Sequence, residues 1–359
     1  MANIDHLEGI GASRVATSRL EQFVLTSGPE DGVPVLLVHG NASNSTFWEE
    51  VMVALPPRYR AIAPDLRGYG ETEDKLIDAT RGSQDWVDDL LALKEALGIE
   101  RYHVAGHSLG GFVLWRLIAQ DAANVLSATL VAPGSPYGFG GTKGLDGTPI
   151  HRDFAGSGGG LVNPEMVKRM TNGDRSAEDP SSPRNVMNGL YWRPPFRAKR
   201  EEDLLSGMLS EKMGPYKYPG DFVPSPNWPG LAPGSHGPIN ALSPKYVGDS
   251  VERFVGADPK PPVLWVYGAD DQIVSDTSLS EVGYLGQIGL FPGWPGEDVS
   301  PPQPMVGQTR AVLERYAAAG GRYREVRFDE CGHTPYIEHP ERFMAEFTAI
   351  LAEGDAAQV

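Results

Sequence analysis

The chain has 359 residues, with 47 Asp and Glu against 31 Lys and Arg, and a formal net charge of −16 at neutral pH. So acidic a surface repels nucleic-acid phosphates and anionic lipid, which argues against both as partners. A hydrophobic fraction of 40% beside 22% charged residues suits a globular protein with a real core, and the sole cysteine, Cys331, offers neither an internal disulfide nor a zinc cluster.

The N-terminal MANIDHLEGIGASR has neither the basic start nor the apolar centre of a signal peptide, and no run of about 18 apolar residues would span a bilayer, so a cytoplasmic protein is expected. Leu20 to Leu25 is expected as an antiparallel strand at a sheet edge. Val33 to Gly40 (VPVLLVHG) is a short continuous apolar run closed by a turn residue, as in a strand buried on both faces. Tyr59 to Pro64, Tyr102 to Ala105, Ser127 to Ala132 and Val263 to Tyr267 repeat the pattern, and Tyr323 to Phe328 reads as a further, more exposed strand. Helical periods lie between them: Trp86, Leu90, Leu93 and Leu97 share one face of Asp85 to Leu97, Phe112 to Ile118 mark a second helix, and Val312 to Ala319 a third. Strands alternating with helices of about 10–15 residues predict βαβ units, hence an α/β fold with a mostly parallel central sheet and helices on both faces.

The alternation stops near Gly134 and resumes near Pro261. Gly134 to Pro262 holds 20 of the 43 glycines and 18 of the 31 prolines, a density that forbids long uninterrupted helices. The same stretch carries Met187, Tyr191, Trp192, Met208, Tyr218 and Trp228, too aromatic for a disordered linker. It reads as an inserted, irregular, mainly helical cap at 134–260. Residues 1–133 and 261–359 then form one split core, with 278–304 as a further loop insertion near the site.

Gly106-His107-Ser108-Leu109-Gly110 reads G-x-S-x-G between a buried strand and a helical pattern. A serine on so sharp a strand-to-helix turn projects its hydroxyl clear of the sheet, and side chains two positions to either side would collide, hence the glycines. The helix that follows aims N–H groups and a partial positive charge at the turn. Serine is a poor nucleophile at neutral pH and needs a base; among eight histidines, His333 fits best, on a loop after the last strand. His39 and His107 sit inside glycine turns, and the others fall in the tail, a strand, the cap or a helix.

Further motifs accompany the turn: His39-Gly40-Asn41, Asp65-Leu66-Arg67-Gly68-Tyr69-Gly70, Gly268-Ala269-Asp270-Asp271-Gln272-Ile273-Val274, and Gly332-His333-Thr334 followed by Glu338-His339-Pro340-Glu341. In this order, Ser before Asp before His, the chain from about Leu20 to Leu351 resembles the α/β-hydrolase family, in its serine-nucleophile form with a cap domain. The resemblance implies Ser108 as nucleophile, His333 as base and Asp271 as the acid that orients it, with Asp270 and Asp276 as the runners-up that a one-residue slip of the loop would exchange. It also implies an oxyanion hole from the backbone N–H groups of Leu109 and Asn41. Asp65 and Arg67 are expected to bind each other or nearby backbone.

Relatives that open epoxides or remove halides need a carboxylate nucleophile; a serine at 108 points to acyl transfer instead, with no metal and no cofactor. An ester or lactone of a moderately bulky hydrophobic small molecule is the expected substrate, and His107, Tyr191, Trp192, Trp228, Phe291 and Trp294 are the expected pocket residues. Amide or C–C bond hydrolysis on the same residues, acyl transfer to an alcohol or thiol, and a small-ligand receptor that retains the triad stand as alternatives. A homodimer is left open.

Overall fold

The structure, a computed structural model, describes residues 4–356. Its centre is one sheet of eight strands: β1 (Gly11–Ala16), β2 (Glu21–Ser27), β3 (Val33–Val38), β4 (Tyr59–Pro64), β5 (Tyr102–His107), β6 (Val125–Val131), β7 (Val263–Gly268) and β8 (Tyr323–Phe328). Their spatial order is β1-β2-β4-β3-β5-β6-β7-β8. From β4 across to β8 every neighbouring pair is parallel, while β2 runs antiparallel to both β1 and β4. The strand expected at the edge is therefore second in the sheet. β1 covers it, and its GASRVA sequence, mostly exposed, has no apolar run that would mark it as a strand.

Five helices flank the sheet: α1 (Glu49–Ala54), α2 (Gln84–Ala96), α3 (Leu109–Asp121), α4 (Met305–Ala318) and α5 (Pro340–Ala356). Strand β3 shows how alternation divides the core. Leu36 and Val38 belong to the core on one face, which also holds Trp86 and Leu90 of α2, Leu114 of α3 and Tyr316 of α4. Val35 and Leu37 face the other way, toward Met52 of α1 and Phe343, Phe347 and Leu351 of α5. Both faces are buried, which is why the strand reads as an unbroken apolar run; each such side chain contributes about 1.5–3 kcal/mol by leaving water. Helix α4 starts at Met305, earlier than the Val312 expected from periodicity. Asp276 Oδ1 accepts the Val306 N–H at 2.8 Å and the Gly307 N–H at 3.3 Å, and so caps the helix from another loop.

Residues 134–260 leave the sheet after β6 and rejoin it at β7. They contain helices Pro164–Thr171, Glu201–Leu209 and Ser250–Val255, and a short helix Pro183–Val186 that runs into a π turn, Met187–Tyr191. Two small antiparallel hairpins pair Thr142–Lys143 with Thr148–Pro149 and Phe222–Pro224 with Leu231–Pro233. Met187, Trp192, Leu204, Leu205, Met208 and Tyr218 form a core of their own that closes on Ala42 and Phe47. The last part of the segment packs differently: Phe254 lies edge-on to Trp115 of α3, ring centroids 4.9 Å apart, within the main core. Among the described residues no helix is long and apolar enough to cross a membrane.

Candidate active site

Strand β5 ends at His107 and α3 begins at Leu109, so Ser108 alone turns the chain, at φ 55° and ψ −114°. A side chain in that left-handed region costs on the order of 1–3 kcal/mol, a strain that the surrounding packing must hold. The Ser108 N–H donates to the Val131 carbonyl at 2.9 Å, and the Ser108 carbonyl accepts from Phe112 and Gly134 N–H, each at 2.9 Å. Two glycines make room: a Cβ on Gly106 would lie 2.6 Å from the Gly110 carbonyl oxygen, and one on Gly110 would lie 2.3 Å from that of Val38.

His333 sits on the loop after β8, buried, with Nδ1 2.7 Å from Asp271 Oδ2. The Nδ1–H donates to the carboxylate, which leaves Nε2 free to accept a proton. Asp271 Oδ1 accepts the Ile273 N–H at 2.7 Å and the Val274 N–H at 3.0 Å, so the loop after β7 holds the carboxylate in place. The neighbouring acids go elsewhere: Asp270 pairs with Arg193 at 3.0 Å, and Asp276 caps α4. Close approach of the two loops needs glycine, because a Cβ on Gly268 would fall 1.9 Å from the Gly332 carbonyl oxygen. The segment 134–260 is tied to the histidine loop as well. Glu338 accepts N–H groups from Gly332 at 2.9 Å and Arg193 at 2.8 Å, and the Thr334 hydroxyl donates to the Tyr191 carbonyl at 2.8 Å. No hydrogen bond joins the Ser108 hydroxyl to His333 among the described residues, although both border one cavity; such contacts commonly tighten only when substrate is bound. Cys331 is buried with Sγ 3.5 Å from Glu338 Oε1, and burial followed by that carboxylate pushes its thiol pKa up, which suits packing rather than nucleophilic attack.

The turn at His39–Ala42 completes the site. The Leu66 N–H donates to His39 Nε2 at 2.9 Å, so Nδ1 carries the proton and donates to the Gly40 carbonyl at 2.7 Å. His107 Nε2 donates to the His333 carbonyl at 2.9 Å, and burial, reinforced by His333, holds its pKa well below the ordinary imidazole value. Both rings are neutral struts. A Cβ on Gly40 would be 3.1 Å from Ser108 Cβ, so glycine lets the turn close on the serine. The Asn41 side chain faces away from backbone chemistry: its Oδ1 accepts from the Tyr69 hydroxyl at 3.0 Å, while Tyr191 donates to the Ala42 carbonyl at 2.8 Å. The N–H groups of Asn41 and Leu109 meet no backbone acceptor among the described residues, which is what a site for a developing oxyanion requires. Glu211, from the inserted segment, belongs to the same neighbourhood; it is buried, with the Ala42 N–H and the Tyr69 hydroxyl as its polar neighbours and no cation beside it among the described residues, and burial pushes its pKa well up. Nothing in the local E-K-M-G sequence distinguishes it from a solvated turn residue.

Asp65 and Arg67 do not bind each other, but each reaches nearby backbone, Asp65 at the Glu71 N–H and Arg67 at the Leu76 carbonyl, 3.3 Å away. Arg67 forms a fork on Asp89 at 2.7 and 2.8 Å, whereas Asp65 accepts from the Ser45 N–H and hydroxyl and from the Glu71 N–H. The alternation of acidic loop and α2 places Asp89, distant in sequence, nearer to the guanidinium than its own loop's carboxylate.

Ser108, His333, Asn41 and Leu109 border a cavity of about 380 Å³ whose other walls include Phe112, Phe139, Leu161, Met166, Ile239 and Leu285. Of the six residues expected to contact substrate, His107 and Tyr191 border it and the other four do not. Trp192 is buried in the inserted segment's own core, with Nε1 donating to Asn188 Oδ1 at 3.1 Å. Trp228 and Phe291 pack edge to face at 5.6 Å, and Trp294 donates to the Ser300 carbonyl at 2.9 Å. These aromatics serve the packing of the insertions, where a large ring gains most. Leu279, Ser280, Glu281, Val282 and Leu285, from the loop region after β7, supply wall instead. Among the described residues no group of three His, Cys, Asp or Glu side chains could hold a metal ion.

The profile of the alpha/beta hydrolase family matches residues 35–346. Over 338 residues the chain is 24% identical to a 2-hydroxymuconate semialdehyde hydrolase of Pseudomonas sp. (strain CF600), covering 91% of this chain and 90% of that protein. It is 27% identical to an uncharacterized carboxylesterase of Bacillus subtilis (strain 168) over 183 residues, 50% of this chain and 57% of that one, so the match spans little more than half of that relative. The fold is similar to that of the esterase RhEst1 from Rhodococcus sp. ECU1013, with a TM-score of 0.57, 20% identity, and coverage of 96% of this chain and 98% of that one.

Proposed function

Because the chain belongs to the α/β-hydrolase family, we propose that it is a serine hydrolase that cleaves an ester or lactone of a moderately bulky hydrophobic molecule through an acyl-enzyme. One observation carries the reading: a serine on a strained strand-to-helix turn shares an apolar cavity with a histidine whose Nδ1 is bonded to a buried carboxylate at 2.7 Å.

In this reading His333 Nε2 takes the proton from Ser108 Oγ as the oxygen attacks the substrate carbonyl. The negative charge that develops on the carbonyl oxygen is met by the N–H groups of Asn41 and Leu109. Asp271 keeps the ring in the tautomer that can accept at Nε2 and stabilises the imidazolium. The tetrahedral intermediate expels the alcohol, which takes its proton from His333, and the acyl group stays on Ser108. Water then repeats the sequence, releasing a carboxylic acid. The relative named as a carboxylesterase supports the ester reading, while the 2-hydroxymuconate semialdehyde hydrolase, matched over 91% of this chain, keeps hydrolysis of another bond on the same residues as the second reading.

The test is intact-mass labelling with a fluorophosphonate probe, in competition with matched esters, lactones and amides. Labelling at Ser108 that an ester or lactone suppresses best supports the reading. Absence of labelling at Ser108, or suppression by an amide alone, refutes it.

A further inference from the structure

The cavity at Ser108 is uneven in charge as well as polarity. Among the described residues that border it there is no lysine, arginine or aspartate, and Glu281 is the one carboxylate. Glu281 is 3% exposed. Its Oε1 accepts the Gly283 N–H at 2.9 Å, and its Oε2 accepts the Tyr284 N–H at 2.9 Å and the Gln303 N–H at 3.4 Å. Backbone donors hold the group in position, but no cationic side chain pairs with it among the described residues. Burial pushes the Glu281 pKa up and the three N–H groups oppose that shift; in its ionised form the carboxylate is offset by these dipoles but by no cation. The rest of the wall is aliphatic, aromatic or neutral, with Ser280 and Asn163 as uncharged polar neighbours.

Charges act far in such a place. Low-dielectric walls screen poorly, so an anion entering the cavity meets Glu281 with little water between them. A substrate carrying its own carboxylate finds no cation to pair with, and loses hydration as it enters.

Building on the proposed ester hydrolysis at Ser108, we infer that Glu281 sets the charge class of the substrate. The site takes lipophilic esters that are neutral or carry a cationic or hydrogen-bond-donating substituent, and it discriminates against those with a free carboxylate. The same field favours departure of the carboxylic acid that each turnover produces.

The experiment compares kcat/KM at pH 8 for p-nitrophenyl heptanoate, the p-nitrophenyl monoester of hexanedioic acid, and the p-nitrophenyl ester of 6-(trimethylammonio)hexanoic acid. A second series places the charge on the alcohol side. In parallel, calorimetry measures binding of the corresponding ketones, which cannot be hydrolysed. Expected in the wild type is a loss of at least about tenfold for the anionic member relative to the neutral one in one series or both. Glu281→Gln, which keeps an acceptor for the backbone donors, is expected to bring that ratio within about threefold of unity. Ser280→Lys, at an exposed position on the same wall, is expected to raise the ratio toward the anion. Equal kcat/KM and equal ketone affinity for neutral and anionic members in the wild type would overturn the inference, as would a ratio unchanged in Glu281→Gln. If the ketones show the charge preference but no ester turns over, the charge selection stands and the hydrolase reading falls.

Discussion

Asp271 divides its carboxylate between two tasks: Oδ2 lies 2.7 Å from His333 Nδ1, and Oδ1 is clamped by the Ile273 and Val274 N–H groups at 2.7 and 3.0 Å. The clamp fixes the direction from which the carboxylate meets the ring, so the acid is positioned by its own loop before the histidine loop is considered. Asparagine at this position would offer an N–H where His333 needs an acceptor and would favour the wrong tautomer. Asp271→Asn should therefore reduce kcat by roughly 10⁴-fold. Asp270→Asn, which loses only a surface pair with Arg193, should stay within about threefold, and Asp276→Asn, which keeps an oxygen to accept the Val306 and Gly307 N–H groups, should change both kcat and the melting temperature little. Steady-state rates on one chromogenic ester rank the three; a larger loss in either neighbour than in Asp271 would reassign the acid.

Ser108 carries strain that a smaller residue relieves. Ser108→Ala and Ser108→Gly should both abolish ester hydrolysis and fluorophosphonate labelling. They should differ in stability, because glycine accepts φ 55° without a Cβ penalty and alanine does not. Thermal unfolding should place Ser108→Gly above Ser108→Ala by about 1 kcal/mol. An equal or reversed order would show that the turn stores no such strain.

Glu211 gives the protein a pH dependence with a definite sign. Its folded pKa is pushed well above the carboxyl reference of 4.5 by burial. Below that reference both folded and unfolded states are protonated and the group costs nothing by titration. As pH rises above it, the unfolded chain releases the proton and the folded chain retains it, so stability falls by about 1.4 kcal/mol per pH unit until the folded pKa is reached. Glu211→Gln removes this loss. Differential scanning at pH 4, 5, 6 and 7 should show a melting-temperature difference between variant and wild type that grows with pH in favour of glutamine; a flat difference would exclude the linkage.

Gly332 is constrained by the inserted segment rather than by its own turn. A Cβ there would stand 2.7 Å from the Arg193 nitrogen and from the Trp192 carbonyl carbon, both backbone atoms. Gly332→Ala should shift the His333 loop and reduce kcat/KM by more than about tenfold, a scale consistent with small misplacements of catalytic groups. Gly98→Ala is the control, since that glycine has φ +64° but nothing within 4 Å of its Cβ; it should cost about 1 kcal/mol of stability and leave kcat/KM unchanged. Matching kinetics for the two variants would refute the steric argument.

Much of the framework was legible because it is written locally. The apolar runs at β3, β4, β5 and β7 mark strands covered on both faces, and the sheet has them at its centre. β1 was not legible, since an exposed edge strand is held by pairing with β2 and needs no apolar pattern. The start of α4 was hidden for a related reason: its cap comes from Asp276, on a loop far back in the chain. In the cavity, Trp192, Trp228, Phe291 and Trp294 drew notice by size and apolar character, but those properties serve internal packing equally well. Glu281, a charged residue in a polar-looking S-L-S-E run, drew none.

The sequence by itself determined the order of the chemical motifs, the residue type at the sharp turn and the glycines on either side of it. Each depends on contacts within a few residues, where backbone sterics leave few solutions. Only the tertiary structure decided which of two adjacent aspartates meets His333 across 62 residues of chain, which aromatics line the cavity, and that Glu211 and Glu281 are buried. Burial and partner choice are properties of packed surfaces, and the surfaces exist only once segments distant in sequence have closed on one another.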